Sequence, residues 1–159
     1  MSTLLEANQD APFFRAKNQD DQLVSLNDFS GEKNLVLYFY PKDDTPGCTI
    51  EANQFTALAA EFAAANTIVL GVSKDDCDSH KAFISKYSLS VQLLADTSGE
   101  LCENYGVWQE VEKDGVKKWK IVRSTFVINK DGILVAAEYG VNPEGHAQAV
   151  LDLINNLNS

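Results

Sequence analysis

The sequence predicts an α/β fold in which helices pack on both faces of a mixed sheet. The first observation is an uninterrupted apolar run at residues 35–40, which is typical of a strand buried on both faces. Behind this run, apolar side chains recur at helical spacing from Ala52 to Phe62, which predicts a helix continuing to about Ala65. A second buried strand follows at residues 67–72. A strand, a helix and a strand in this order form a right-handed parallel crossover.

The elements that flank this crossover extend the predicted sheet. An N-terminal β-hairpin is expected from residues 14–17 and 22–26, because turn-forming residues lie between them. After the second strand we expect a helix that begins near Asp76, then a strand at residues 90–95. A short helix follows that strand, and Gly106 is predicted to end it.

The C-terminal part is expected to contain a long strand from Trp119 to Ile128, which turns and returns through residues 133–139. A last helix is predicted to start with Pro143 at its first position. This order of elements fits a thioredoxin-like three-layer sandwich: a mixed central sheet, helices on both faces and the N-terminal hairpin. A chain of 159 residues suits one domain over residues 1–159.

Composition and charge argue against several classes of protein. A net charge of −10 disfavours nucleic acid or an anionic membrane as a partner. Residues 1–8 lack the basic and apolar segments of a signal peptide, so a cytoplasmic protein is expected. The three cysteines, Cys48, Cys77 and Cys102, form no CxxC pair, and the two histidines are isolated. Neither a metal site nor another cofactor is therefore expected.

Cys48 is the first candidate for chemistry. Helical spacing places it in the first turn of the helix, pointing inward beneath the end of the strand. There it meets unpaired backbone N–H groups and the positive end of the helix dipole, which favour thiolate over thiol. A free thiol has an ordinary pKa of ~8.5, so a cation is expected nearby as well. The alternative is that Cys48 is a small buried hydrophobe, as free cysteines often are.

Arg123 is the best candidate for that cation. It interrupts an otherwise apolar run at residues 121–128, and a charge inside such a run is usually paired or functional. The alternative is an arginine at a sheet edge, and the residues alone leave both roles open. Thr45 is consistent with a helix N-cap, and Pro41 would end the strand in any fold.

The string Pro41-x-x-x-Thr45-x-x-Cys48 matches the active-site signature of peroxiredoxins, and residues 45–51 resemble the bacterioferritin-comigratory, or peroxiredoxin Q, branch. Residues 123–126 also resemble the second signature of the family. The resemblance implies a thiol-dependent peroxidase in which the Cys48 thiolate attacks a hydroperoxide and becomes a sulfenic acid. It further implies recycling by thioredoxin or another thiol, and no cofactor.

The same resemblance assigns roles to four neighbours of Cys48. Arg123 would contact the thiolate, and Thr45 would donate a hydrogen bond to a peroxide oxygen. Gly47 would let the backbone approach closely, so these three residues would line the peroxide site. Pro41 would wall the pocket and shield the thiolate from water.

The remaining polar candidates are predicted to be structural. Glu51 matches the branch, but an exposed acid in a first helical turn is explained by the helix dipole alone. His80 is expected to be hydrogen-bonded and half-buried, and His146 to lie on the surface of the last helix. Cys102 and the two tryptophans are expected to serve packing.

The fate of the sulfenic acid depends on a second thiol. By the resemblance, a resolving cysteine would occupy the position of Asn53 or roughly that of Ile84, and neither position holds sulfur. Cys77 is the remaining candidate, because its thiol could lean toward the sheet end where Cys48 lies. A Cys48–Cys77 disulfide would still require the helix to unwind locally. We therefore expect an external thiol to resolve Cys48 in a monomer or weak dimer.

Two other functions fit the same fold. A disulfide oxidoreductase is disfavoured because Thr45 stands where thioredoxins carry a second cysteine, and Ser124 roughly where they carry a characteristic proline. A non-enzymatic redox sensor or chaperone would oxidise Cys48 stoichiometrically, without turnover.

Overall fold

The structure, a computed structural model, describes residues 4–157. Within these residues the strands are β1 (Arg15–Asn18), β2 (Leu23–Ser25), β3 (Asn34–Phe39), β4 (Thr67–Ser73), β5 (Gln92–Ala95), β6 (Trp108–Lys113), β7 (Val116–Ile121), β8 (Ser124–Ile128) and β9 (Leu134–Tyr139). The helices are α1 (Pro46–Ala57), α2 (Ala59–Ala64), α3 (Cys77–Tyr87), α4 (Glu100–Asn104) and α5 (His146–Leu157), and a 3-10 turn spans Leu26–Asp28.

Seven of these strands form one mixed sheet in the order β2-β1-β5-β4-β3-β8-β9. The central strands β3, β4 and β5 are parallel, as the strand–helix–strand crossover predicts. On one side β8 and β9 continue the sheet antiparallel, and on the other side β1 pairs antiparallel with β5. The N-terminal hairpin is therefore confirmed, and it extends the same sheet.

Side chains of β3 alternate between two hydrophobic cores, one on each face of the sheet. Leu35, Leu37 and Phe39 pack in the core that α4 covers. The intervening residues Val36 and Tyr38 pack in the core beneath the other four helices. The six residues of β3 are all buried, as an uninterrupted apolar run predicts. The three-layer thioredoxin-like sandwich is confirmed.

Two predicted helices begin or end differently. The long helix expected to reach Ala65 is interrupted at Leu58, whose amide is shared between two carbonyls of the preceding turn at 3.2 Å each. The last helix begins at His146 instead of Pro143. The reason is that Gly145 has a left-handed φ of 80°, which a helix cannot include.

The strand predicted from Trp119 to Ile128 is in fact two strands, β7 and β8, separated by Val122 and Arg123. Strand β6, which the sequence did not predict, pairs with β7 in a separate ribbon. The turn between them has a positive φ at Asp114 and at Gly115, as two-residue hairpin turns require. Because β7 pairs with β6, only β8 joins the main sheet.

The ribbon β6–β7 carries both tryptophans. Trp108 and Trp119 stack with their ring centroids 6.3 Å apart, and Lys74 Nζ lies 3.9 Å from the centroid of Trp108. The expected packing role of the tryptophans is confirmed, although Trp119 stays half exposed. No helix within residues 4–157 combines the length and apolarity needed to cross a bilayer.

Candidate active site

Cys48 lies at the start of α1, just after the loop that follows β3. It is the third residue of that helix and is 2% exposed, so its predicted inward position in the first turn is confirmed. The amides of this turn have no acceptor within the helix, and the positive end of the helix dipole lies there. Both effects favour negative charge on the Cys48 sulfur.

Arg123 supplies the cation beside this sulfur. Its Nη2 donates to Cys48 Sγ at 3.4 Å. The register explains the meeting, because Ser124 pairs with Phe39 and so brings the start of β8 to the end of β3. Arg123 does not lie in a continuous strand, as predicted, but in the two-residue gap before β8. Because Arg123 lies outside both strands, its side chain need not follow the alternating directions of a strand. Its guanidinium contacts Cys48 and Glu51 of α1.

Gly47 leaves the space that this arginine occupies. A Cβ atom at residue 47 would lie 3.0 Å from Nη2 of Arg123 and 3.5 Å from Cγ of Pro143. The first distance is shorter than about nine in ten real contacts of a Cβ atom, so a side chain here would push the guanidinium by a few tenths of an ångström. Gly47 therefore lets Arg123 lie close to the backbone, and its predicted part in binding the peroxide stays a prediction.

Glu51 is buried, and the prediction of an exposed acid is wrong. Its exposed fraction is 0%, and its Oε1 accepts a hydrogen bond from Arg123 Nη1 at 2.8 Å. Burial raises the pKa of the Glu51 carboxyl to about 7, although Arg123 opposes the shift. The spacing does contain the signal, because Cys48 and Glu51 are three residues apart and share one helix face with Ala52.

Arg123 thus bridges a thiol and a carboxylate. Burial disfavours its charge, but attraction to Glu51 and Cys48 prevails and raises the pKa of the guanidinium. The arginine keeps its charge at every relevant pH. Since Glu51 holds one nitrogen, the other nitrogen is fixed in direction toward Sγ.

Thr45 and Pro41 lie in the loop between β3 and α1. Thr45 occupies the N-cap position of α1, as predicted, but its side chain caps no helix amide. Its hydroxyl donates instead to the carbonyl of Lys42 at 2.8 Å. Pro41 is exposed at the end of β3. The peroxide-binding role of Thr45 and the shielding role of Pro41 stay predictions.

Comparison with known proteins identifies the family. Residues 7–137 match the model of the AhpC/TSA family. The putative peroxiredoxin bcp of Helicobacter pylori strain J99 is 47% identical over 148 residues, which cover 93% of this chain and 97% of the relative. Peroxiredoxin Bcp of Bacillus subtilis strain 168 is 37% identical over 153 residues, which cover 96% and 97%.

Solved structures agree with the relatives. The bacterioferritin comigratory protein of Xanthomonas campestris, whose structures address alkyl peroxide reduction, superposes with a TM-score of 0.90. It is 35% identical, with 97% of this chain and 100% of that chain covered. The chain is a peroxiredoxin of the AhpC/TSA family. It is therefore a thiol peroxidase that takes a peroxide as substrate and a thiol as reductant, and neither alternative function is supported.

Tyr38 is a neighbour of the peroxiredoxin site that the sequence analysis missed. Its ring stacks on Phe55 at 4.7 Å, and Gly71 on β4 leaves room for it, since a Cβ there would lie 2.7 Å from Tyr38 Cζ. Within residues 4–157, the buried Tyr38 hydroxyl and Glu51 Oε2 make no hydrogen bond. Burial raises the pKa of Tyr38, and the charges of Glu51 and Cys48 raise it further. The phenol therefore stays neutral beside the thiol.

The two histidines are both more buried than predicted. His80 is fully buried, not half-buried, although its predicted hydrogen bonding is confirmed. His146 is not on the surface, because the late start of α5 turns it toward Phe55, and its Nε2 lies 2.8 Å from Thr125 Oγ1. Burial lowers the pKa of His146, and Arg123 adds to the effect while Glu138 opposes it.

The other two cysteines of the peroxiredoxin lie away from Cys48. Cys102 is fully buried in the core under α4, as predicted. Cys77 begins α3 and faces the N-terminal hairpin, with Sγ 4.0 Å from Asp21 Oδ1. Burial raises the pKa of Cys77, and so does Asp21. Three strand spacings separate β1 from β3, about 14 Å, so Cys77 and Cys48 are not neighbours in this conformation.

Proposed function

We propose that Cys48 is the peroxidatic cysteine, that it reduces hydrogen peroxide and organic hydroperoxides, and that an external thiol such as thioredoxin recycles it. One observation carries the proposal: the Arg123 guanidinium lies 3.4 Å from Cys48 Sγ at the start of a helix. A fixed cation and the positive end of a helix are the two features that make a buried thiol a nucleophile.

In the first step the Cys48 thiolate attacks the terminal oxygen of ROOH. A sulfur–oxygen bond forms, the oxygen–oxygen bond breaks, and the leaving RO⁻ takes a proton to give ROH or water. The sulfur is oxidised by two electrons to a sulfenic acid, and the peroxide is reduced. The Arg123 guanidinium supports charge on the departing oxygen, and loop amides are further donors. The Thr45 hydroxyl joins them once it turns from the Lys42 carbonyl, to which it donates in this structure.

In the second step a thiol R′SH attacks the Cys48 sulfenic acid and releases water, which leaves a mixed disulfide. A second thiol then attacks R′S and frees the Cys48 thiol. We favour an external R′SH because the Cys77 thiol faces the hairpin and carries a raised pKa, which makes it a poor nucleophile. Cys77 remains the candidate for an internal resolving residue.

The oligomeric state and the compartment of the protein are part of the same proposal. We propose that the chain acts as one catalytic domain and as a monomer or weak dimer, in which its own Arg123 contacts Cys48. The three cysteines are free thiols, which suits a reducing compartment such as the cytoplasm.

The test is a peroxidase assay with hydrogen peroxide, in the presence and absence of thioredoxin and its reductase. We expect NADPH-coupled turnover with the full system and a single round of peroxide consumption without the thiol. Consumption that stays stoichiometric with every thiol offered would refute the catalytic proposal and favour a sensor.

Mass spectrometry after one equivalent of peroxide decides how Cys48 is resolved. We expect a sulfenic acid on Cys48 that an added thiol converts to a mixed disulfide. A quantitative Cys48–Cys77 disulfide, together with loss of turnover in Cys77→Ser, would overturn the external-thiol route and establish Cys77 as the resolving residue.

A further inference from the structure

Five polar residues form a hydrogen-bonded cluster at the loop that precedes Cys48. The carboxylate of Asp43 is its centre: Oδ1 accepts from the Tyr40 hydroxyl at 2.5 Å, and Oδ2 accepts from Ser79 Oγ at 2.8 Å. The amide of Asp43 donates to Asp75 Oδ2 at 2.8 Å. His80 Nδ1 lies 2.7 Å from Asp43 Oδ2. The Asp43 cluster therefore comprises Tyr40, Asp43, Asp75, Ser79 and His80.

His80 is fully buried and has an acceptor at each ring nitrogen. Nε2 lies 2.9 Å from the carbonyl oxygen of Leu94 on β5, which can only accept, so Nε2 carries a proton. Nδ1 meets the Asp43 carboxylate, so that bond also needs a proton between the two groups. With both nitrogens engaged, His80 has no lone pair to offer as a base. Its role is to hold Asp43 in place.

The cluster ties the loop at residues 41–45 to α3. Ser79 and His80 are in the first turn of α3, and Asp43 is 7% exposed between them and the end of β3. A second anchor lies at the surface, where Asp44 accepts from Lys86 Nζ at 2.7 Å and from the Tyr87 hydroxyl at 2.6 Å. The Asp43 anchor is buried and the Asp44 anchor is exposed. Exposed ion pairs contribute little to stability, so the Asp43 anchor is the stronger of the two.

The loop held in this way places the first turn of α1. Thr45 is the N-cap of α1, and its hydroxyl bonds to Lys42 within the same loop. Cys48, the third residue of the helix, is 2% exposed. A peroxide is small enough to enter such a site. A protein thiol must approach the sulfur of the sulfenic acid from outside, so the first turn of α1 has to open before it can react.

We propose that Asp43 and His80 are positioning residues that latch the Cys48 loop onto α3, with opposite effects on the two half-reactions. The latch favours reaction with peroxide by holding Thr45, Cys48 and Arg123 in register. It slows attack by an external thiol by resisting the opening of α1. The inference rests on the proposed function, since both half-reactions take place at Cys48.

The test measures the half-reactions separately in Asp43→Asn, which keeps the shape of the side chain but removes its charge. The first readout is the rate of sulfenic acid formation with hydrogen peroxide, and a shift of about 1 Å in the site predicts a loss of about 100-fold. The second readout is the rate at which preformed sulfenic acid disappears with reduced thioredoxin. This rate is expected to rise several-fold, which a general loss of structure would not produce.

Variants at two further positions, Ser79 and His80, test the same effect if Asp43→Asn does not fold. Ser79→Ala removes one hydrogen bond to Asp43. We expect slower sulfenic acid formation and faster reaction with thioredoxin, each by about fivefold or less. His80→Asn can place an amide N–H near the position of Nδ1, so it should retain more peroxide reactivity than His80→Ala. The matched control is Tyr87→Phe, which removes a hydroxyl from the exposed anchor and should leave both rates within about twofold.

The outcomes separate this inference from the proposed function. Absence of turnover in the wild-type protein would refute the proposed function itself. In an active enzyme, the latch is overturned if Asp43→Asn, or in its place Ser79→Ala, slows both half-reactions or changes neither. It is also overturned if Tyr87→Phe matches the buried variants.

Discussion

Cys48 and Cys102 occupy the same place in two different helices. Each is the third residue of its helix, α1 for Cys48 and α4 for Cys102, and each side chain is almost fully buried. Their charged neighbours are opposite in sign. Cys48 faces the Arg123 guanidinium, whereas Cys102 lies beside Asp96, whose Oδ2 accepts from the Cys102 amide at 2.8 Å. Burial raises the pKa of the Cys102 thiol far above its usual range, and Asp96 raises it further.

The difference shows that a helix start does not by itself make a cysteine reactive. At α4 the amides that could stabilise a thiolate are already taken by Asp96, which accepts from Leu101 and Cys102. At α1 the Thr45 side chain leaves the helix amides free, because its hydroxyl bonds to Lys42. The fixed cation and the free amides are therefore what distinguish the Cys48 site.

The largest expected effect separates the two cysteines directly. Cys48→Ser should abolish peroxide consumption, because a serine hydroxyl cannot form a sulfenic acid. Cys102→Ser should retain nearly full activity, although it places a hydroxyl in the core. Steady-state turnover with hydrogen peroxide and thioredoxin is the measurement. Turnover that survives in Cys48→Ser would contradict the whole mechanism.

Removing the cation should make Cys48 resemble Cys102. Arg123→Met keeps the length of the side chain, and loss of one such charged donor predicts a fall of about 10²–10³-fold in the peroxide rate. The thiolate fraction at neutral pH should also fall, which a pH series of alkylation by iodoacetamide measures. Arg15→Met, which alters an exposed arginine of β1, is the control. Equal alkylation profiles in the two variants would show that Arg123 is structural.

Glu51 makes the free energy of unfolding depend on pH through the site around Cys48. Its pKa of about 7 lies above the ordinary 4.5, so the carboxyl contributes stability that is present below about pH 4.5 and lost as the pH rises to about 7. At 1.36 kcal/mol per pH unit the loss is about 3 kcal/mol. Glu51→Gln should therefore gain stability relative to the wild type between about pH 5 and about pH 8. Urea unfolding of both proteins at each of these pH values measures the difference in their free energies of unfolding. A difference that is the same at both pH values would refute the raised pKa.

The smallest effect is expected from the acid beside Cys102. Asp96→Asn should lower the free energy of unfolding by about 1–3 kcal/mol, because buried amides at the start of α4 lose a charged acceptor. Cys102 should stay inert to alkylation in the folded variant, since burial is the main cause of its raised pKa. Rapid alkylation of Cys102 before unfolding would instead assign its inertness to charge.

The parts of the site that sequence could predict are those with a local signal. The apolar run of β3, the helical spacing behind it and the position of Cys48 in the first turn depend on residues near one another in the chain. For Glu51 the sequence predicts a surface position, since the helix dipole is a sufficient local explanation for an acid in a first turn. Its burial depends on Arg123, which is 72 residues away.

The same limit applies to Arg123 and His146. An apolar run with one charge predicts a strand, but the break before β8 exists because β6 pairs with β7. His146 is buried because a left-handed Gly145 delays the helix, and the preceding proline gave a stronger signal for an earlier start. In each case a nonlocal pairing or a single backbone angle outweighed a correct local propensity.

The stacked tryptophans make the intrinsic fluorescence of this protein a local signal. The chain has two tryptophans, and both lie in the ribbon β6–β7 outside the main sheet. The ammonium group above Trp108 belongs to Lys74, which directly follows β4. Indole emission therefore reports the docking of the ribbon on this end of the sheet, and the tyrosine- and phenylalanine-rich cores contribute little to it. A fluorescence melt and a circular dichroism melt of this protein follow two different structures, and their midpoints separate if the ribbon detaches first.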